Sequence, residues 1–344
     1  MEEVPTMKRA MTLGMTVLLI AALAACTPKA GVKSGAAAGE ALIKLMPQGS
    51  IGVIAIDVQR AMATEAAQKA LQQPEAKAKY DEFVAMSGVD PMTDISYMAM
   101  GLQGTTAAGL QEGGLIIAMT YDRDKLLGLI KEKAPEVTEE VYNGVTIYAN
   151  LDGAEGNQRT RAAFLDPGHI VAGSESVVKG IIDVHQKKAE PLAKDARMAA
   201  VLDQADQSAI VWGAFAVPQE LVKKALESSP QLKVLEGVTA VVLAFDSKMS
   251  GLTADIRALG GTEEQNADLA AALNGFKSLG AMFAAEQPVV GELLNGLDIS
   301  SGRDHTRLFL TVSQETLDKL GALAQAKAGD LMKPKKDEPA EEKR

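Results

Sequence analysis

Three histidines, His169, His185 and His305, are the side chains of this sequence best suited to moving a proton or holding a metal near neutral pH. No two of them stand at the close spacings of a zincin-type or finger-type site, so no metal centre is expected. His185 follows the apolar stripe Val177, Val178, Ile181 and Ile182, which puts it at a helix end with Lys187 and Lys188, where positive charge is favoured. His169 and His305 each open a strand beside a loop. Ser176 and Lys179 are one helical turn apart, a spacing at which a lysine assists proton removal from a serine nucleophile. The S-D-N and K-T-G segments that complete such a site do not occur, and Val177 and Val178 fit an ordinary packed helix. No G-x-S-x-G turn, phosphate loop or dinucleotide fingerprint occurs either. The sequence names no catalytic residue, no cofactor and no metal ligand.

Other candidates have plainer roles. Asp122 and Asp124 offer two carboxylates at the start of a helix, where they suit the helix dipole. Glu139 and Glu140 lie beside a hairpin and resist strand addition as a solvated edge. Asp57 ends an apolar strand and is placed to cap the helix after it. Trp212 falls in an apolar strand and reads as core. Met98, Met100 and Met119 lie on two strands able to pair; they suit either an apolar ligand pocket or gap-filling in a core short of aromatics. The ligand itself is not identified by these residues.

The only cysteine sits at the end of an N-terminal run. Lys8 and Arg9 precede an uncharged stretch over residues 10–25, too short for a membrane span of about 20 apolar residues. It closes in Leu23-Ala24-Ala25-Cys26, which resembles the lipobox of bacterial lipoproteins. The resemblance implies cleavage between Ala25 and Cys26 and acylation of Cys26, so that residues 1–25 are a signal peptide. It implies attachment to a membrane through acyl chains on Cys26. Thr27, standing where Asp tends to cause inner-membrane retention, implies the outer membrane of a double-membrane envelope, facing the periplasm. The acidic start, Met1-Glu2-Glu3, is unusual for such a signal and makes Met7 an alternative first residue.

Composition sets the outer limits. The 344 residues carry a net charge of -10, 47% apolar residues and 4% aromatics, so the chain folds around an aliphatic core. It lacks the basic stripe and the aromatic platform that nucleic-acid binding needs. A lone cysteine excludes a disulfide framework.

The elements that must position these residues begin at about residue 40. Residues 26–39 read as a lipidated flexible tether; thirteen residues of it, from Thr27 to Gly39, reach about 20 Å. Residues 50–58 (SIGVIAIDV) are apolar on both faces and predict a central strand. A helical stretch over 59–86, broken at Pro74, is followed by strands over 95–102 and 114–121 and a helix from Asp122. Asn143-Gly144 between β-prone residues predicts a two-residue hairpin. Strands over 162–165 and 169–172 and a helix from Ser174 close this half. After a short helix over 195–205 a similar order returns: strands over 208–217, 238–245 and 252–258, a helix capped by Thr262 and Gln265, strands over 297–301 and 306–312, and a last helix from Ser313. The long helix from Thr262 has Leu269, Leu273, Phe276 and Phe283 as its expected core stripe.

The fold class predicted is α+β, a tandem duplication of a β-α-β-β-α-type unit with mostly antiparallel sheets and flanking helices. Its two repeats fall at 40–190 and 191–330, and a charged tail expected to be disordered at 331–344. The functional expectation is a membrane-anchored, periplasm-facing lipoprotein with a non-catalytic binding or scaffolding role and possible protein partners in the envelope. The alternatives are a carrier or sensor of an apolar, lipid-like ligand and, third, an envelope enzyme with scattered catalytic residues.

Overall fold

The computed structural model describes residues 35–106, 109–151, 160–248, 251–284 and 287–331. Ala25, Cys26, most of the expected tether and the charged tail from residue 332 lie outside the described residues. In chain order the elements are α1 (Ala36–Ile43), β1 (Ser50–Asp57), α2 (Val58–Met62), α3 (Glu65–Leu71), α4 (Pro74–Ser87), β2 (Ile95–Thr106), β3 (Gly109–Met119) and α5 (Arg123–Lys133). They continue with β4 (Thr138–Tyr142), β5 (Val145–Ala149), β6 (Arg161–Asp166), β7 (His169–Gly173), α6 (Glu175–His185), a 3-10 turn (Leu192–Lys194) and α7 (Ala196–Leu202). The last group is β8 (Val211–Ala216), α8 (Gln219–Ser228), a second 3-10 stretch (Pro230–Leu235), β9 (Val238–Lys248), β10 (Gly251–Gly260), α9 (Glu263–Phe283), α10 (Pro288–Asn295), β11 (Leu297–Ser301), β12 (His305–Ser313) and α11 (Gln314–Leu331).

Twelve strands form one antiparallel sheet in the order β11-β12-β10-β9-β8-β1-β2-β3-β7-β6-β5-β4. The order is the same read outwards in both directions from the β1–β8 pair: β1-β2-β3-β7-β6 on one side, β8-β9-β10-β12-β11 on the other. A duplicated α+β unit is what this topology describes. The two units are not separate bodies, because β1 pairs with β8 from Gly52↔Phe215 to Ile56↔Val211. The first unit carries an additional hairpin, β4–β5, whose turn residues Asn143 and Gly144 both have positive φ (51° and 79°), the two-residue geometry expected of Asn-Gly.

Strands apolar on both faces need cover on both, and the first half receives it together with β8 and α7 at the start of the second. On the front face Val53, Ala55, Ala99, Ile116, Val171, Trp212 and Ala214 join α1, α6 and α7 in one buried cluster. Helix α6 alone buries Val177, Val178, Ile181, Ile182 and Val184. The Trp212 indole N–H donates to the Tyr97 hydroxyl at 2.9 Å, so the one polar atom of each ring is satisfied in the core. On the back face Val58, Met62 and Leu71, from α2 and α3, pack with Ile95, Met98 and Met119.

Several expectations are corrected. The stretch read as a tether to residue 39 ends earlier: α1 begins at Ala36 and buries Ala38, Leu42 and Ile43. Gly39 is required there, since a Cβ would lie 2.6 Å from the Tyr97 hydroxyl oxygen. The stretch over 59–86 is three helices, with Pro74 opening the third at a first-turn position that needs no N–H. Phe276, expected in the core stripe of α9, is 70% exposed; the buried residues on that helix are Leu269, Ala270 and Asn266. The side chain of Phe283 lies outside the described residues.

Candidate functional site

The histidines assemble in part. The segment Asp166-Pro167-Gly168-His169 turns β6 into β7 and folds Asp166 back on His169, whose Nδ1 lies 2.9 Å from both carboxylate oxygens. His185, the last residue of α6, brings its Nε2 to 3.2 Å from the same carboxylate. The Gly168 N–H donates to Asp166 at 2.8 Å. Burial works against the Asp166 charge, but the Gly168 N–H and the two imidazoles outweigh it and hold this carboxyl below its ordinary range. The sequence reading missed Asp166. Its signal was the tight Asp-Pro-Gly turn just before a histidine. The cluster ties the end of α6 to the β6–β7 turn, which is a structural use of all three groups. His305 is elsewhere, 2.8 Å from the exposed Asp304 carboxylate. No group of three or more His, Cys, Asp or Glu among the described residues is arranged to hold a metal ion.

Ser176 and Lys179 do not form a nucleophile pair. The Ser176 hydroxyl donates to Glu112, while the Lys179 ammonium bridges Glu140 at 2.8 Å and Glu175 at 2.6 Å. Glu140 first and Glu175 next push the Lys179 ammonium above its ordinary range, the wrong direction for a proton acceptor. Asp57 is buried and accepts from the backbone N–H of Arg60 at 3.0 Å, capping α2, and from Gly35 at 2.9 Å. Asp122 caps α5. Glu139 and Glu140 stand on the last strand of the sheet and pair with Lys131 and Lys179, one on each face. Met98 and Met119 are buried among packed side chains. A small apolar cavity of about 100 Å³ is lined by Leu126, Ile130, Tyr148, Phe164 and Ile170 among others; no methionine lines it, although Leu126 and Ile170 pack against the cluster that holds Met98 and Met119. The cavity is well short of the 300 Å³ or more of an ordinary ligand pocket.

An open cleft of about 370 Å³ between α1 and α7 is lined by Glu40, Ile43, Lys44, Leu202, Asp203 and Gln207, and the exposed apolar surface is concentrated in the second half. Thr306, Leu308, Leu310 and Val312 of β12 share the back face with Leu252, Ala254, Ile256 and Ala258 of β10. Helices α9, α10 and α11 cover that face: the Thr306 hydroxyl donates to Asn266 O at 3.0 Å, and Thr316 of α11 donates to Glu292 of α10 at 2.8 Å. The cover is thin. Leu252, Ile256, Leu308 and Leu310 stay half-buried, and Phe245 of β9 is exposed. On α9, Phe276, Leu279 and Met282 are 70%, 56% and 75% exposed. Spaced three apart, they fall within about 120° of the helix circumference and form one apolar stripe. The front face of β10 and β12 carries the half-buried Arg257, Asp255 and Arg307, the last two in a bidentate pair at 3.0 and 2.9 Å, while Arg257 donates to Gln204 O beyond the end of α7 at 2.7 Å. This is the wet face that the alternation over 252–258 predicts.

Residues 94–278, more than half of the chain, match the family described as protein of unknown function (DUF3352), and the chain belongs to that family. No curated protein matches it. Among solved structures, crystal form III of TP0453 is similar over 87% of this chain and 100% of that one, at 12% identity and a TM-score of 0.48. Crystal form I of TP0453 is similar over 86% of this chain and 98% of that one, at 12% identity and a TM-score of 0.45. No helix among the described residues is long and apolar enough to cross a membrane.

Proposed function

We propose that the protein is a lipid-anchored lipoprotein of the bacterial envelope, tethered through Cys26 and acting by binding or scaffolding rather than by catalysis. One observation carries the binding role: the second half keeps the apolar stripe Phe276, Leu279 and Met282 in solvent on a helix packed in its first turns. Exposed apolar side chains grouped on one element mark interaction surfaces in soluble proteins. The tether rests on Leu23-Ala24-Ala25-Cys26, where the single cysteine of the chain stands at the position a lipobox requires. Each acyl methylene buried in a bilayer contributes about 0.8 kcal/mol, so two or more chains on Cys26 hold the body at the membrane stably.

The test is metabolic labelling with a clickable fatty acid, followed by fractionation, for the natural chain and for Cys26→Ser. Label on the natural chain and none on the variant, with the natural chain in the outer-membrane fraction, is the expected result. Equal labelling of both, or recovery of the natural chain without lipid, overturns the tether.

A further inference from the structure

The stripe on α9 is a place where the apolar occupant can be named, because strand directions fix where it lies. β1 runs towards Asp57, and each neighbour across the sheet is antiparallel to the last. The end of the sheet that holds Asp57 therefore also holds Val211, Lys248, Gly251, Ser313 and Leu297. Two features meet at this end. The chain enters the described body at Gly35, whose N–H donates to the Asp57 carboxylate at 2.9 Å. Helix α9 starts at the opposite end, where Asn266 donates to Arg303 O, and arrives at this one, where Lys277 donates to Leu297 O. Phe276, Leu279 and Met282 surround and follow that last contact.

We propose that the α9 stripe is a second, protein-borne membrane contact, which lies in the lipid surface to which Cys26 is anchored. Five strand spacings of about 4.8 Å separate β1 from β11, roughly 24 Å across the sheet. The nine residues from Cys26 to Gly35 span up to about 30 Å when extended, enough for the anchor and the stripe to meet one plane. Size argues in the same direction. The three side chains offer about half of the roughly 800 Å² per partner that a standard protein interface buries. A bilayer surface sets no such minimum, because each apolar side chain inserts on its own account. The proposal rests on the tethered reading above but is tested without the acyl chains, so the two fail separately.

The experiment uses the chain from residue 27, which retains every described residue and has no cysteine. An environment-sensitive fluorophore is placed through Leu279→Cys and, as the control, through Val141→Cys, a 72% exposed residue on the last strand of the opposite edge. Vesicles of phosphatidylethanolamine and phosphatidylglycerol are then titrated in. The expected result is a blue shift at 279 and none at 141. Flotation should show a vesicle-bound fraction about tenfold lower when Phe276, Leu279 and Met282 are all changed to Ser, with the circular dichroism unchanged. No shift at 279, or equal flotation of the triple variant, overturns the proposal. So does a shift at 279 that needs no vesicles and rises with a doubling of mass, since a second copy of the chain then covers the stripe.

Discussion

The two halves of the sheet share a strand order and differ in what covers it. In the first, the helix after the fourth core strand, α6, lies on the front face and buries five side chains. In the second, the helix in the same chain position, α11, joins α9 and α10 on the back face and, among the described residues, contributes no large apolar side chain to either buried cluster. The strands account for the difference. β7 puts Val171 on the front, against Ile116 and α6, whereas β10 and β12 put Arg257, Asp255, Arg307 and Thr253 there. A charged face cannot be roofed by an apolar helix without stranding the charges. Duplication of a topology thus leaves each copy free to place its core and its surface differently. Here the first copy, with β8 and α7, holds most of the buried core, and the second copy carries most of the exposed apolar surface.

Substitutions at matched depths break or sharpen this contrast. Trp212→Ala, at the seam where β8 meets β1, removes a fully buried ring and strands the Tyr97 hydroxyl. A loss of about 3–5 kcal/mol is expected, read as a lower urea midpoint for the whole sheet. Leu308→Ala, half-buried on the back of the second half, should cost clearly less, about 1–2 kcal/mol. Equal losses at the two sites would dissolve the contrast. Asp57→Ala removes the cap of α2 and the bond to Gly35, for about 1–2 kcal/mol, with Asp57→Asn recovering part of it.

Acid should act on the first half through Asp166. Its carboxyl lies below the ordinary range in the folded state, so its contribution is present above an unfolded carboxylate value near 4. That contribution is lost as pH falls through the lower, folded value. Asp166→Asn should therefore lower stability at pH 6 and flatten the fall as pH drops below about 4. An unchanged acid limb in urea titrations would remove the cluster from the account. The smallest effect belongs to Lys69–Asp318, an exposed pair at 3.0 Å that links α3 of the first half to α11 of the second. Lys69→Ala should leave the melting temperature unmoved, as exposed ion pairs usually do.

Local chemistry made most elements legible. Asn143-Gly144, the helix-opening Asp122, the caps Asp57 and Thr262, and the alternation over 252–258 each act within a few residues, and each lies where it was read. Helix α1 was not legible, because the Ala- and Gly-rich run over 35–39 has the composition of a linker and is helical only against Tyr97 and the front core. The exposure of Phe276 was hidden for a related reason. Periodicity puts Phe276 on the same side as Leu269, seven residues earlier, but that side is buried only in the first turns of α9, at Asn266, Leu269 and Ala270, and is open by Phe276. The cluster at Asp166 joins residues up to nineteen apart through a turn and a helix end, a distance that spacing alone does not bridge.

The central claim is that the second half is the thinly covered one, and native-state hydrogen exchange read by mass spectrometry tests it most directly. The account predicts that amides of β1, β3 and β7 exchange only through global unfolding. Those of β11, β12 and α9 should exchange measurably faster through local opening. Uniform protection across the sheet, or faster exchange in the first half, would contradict it.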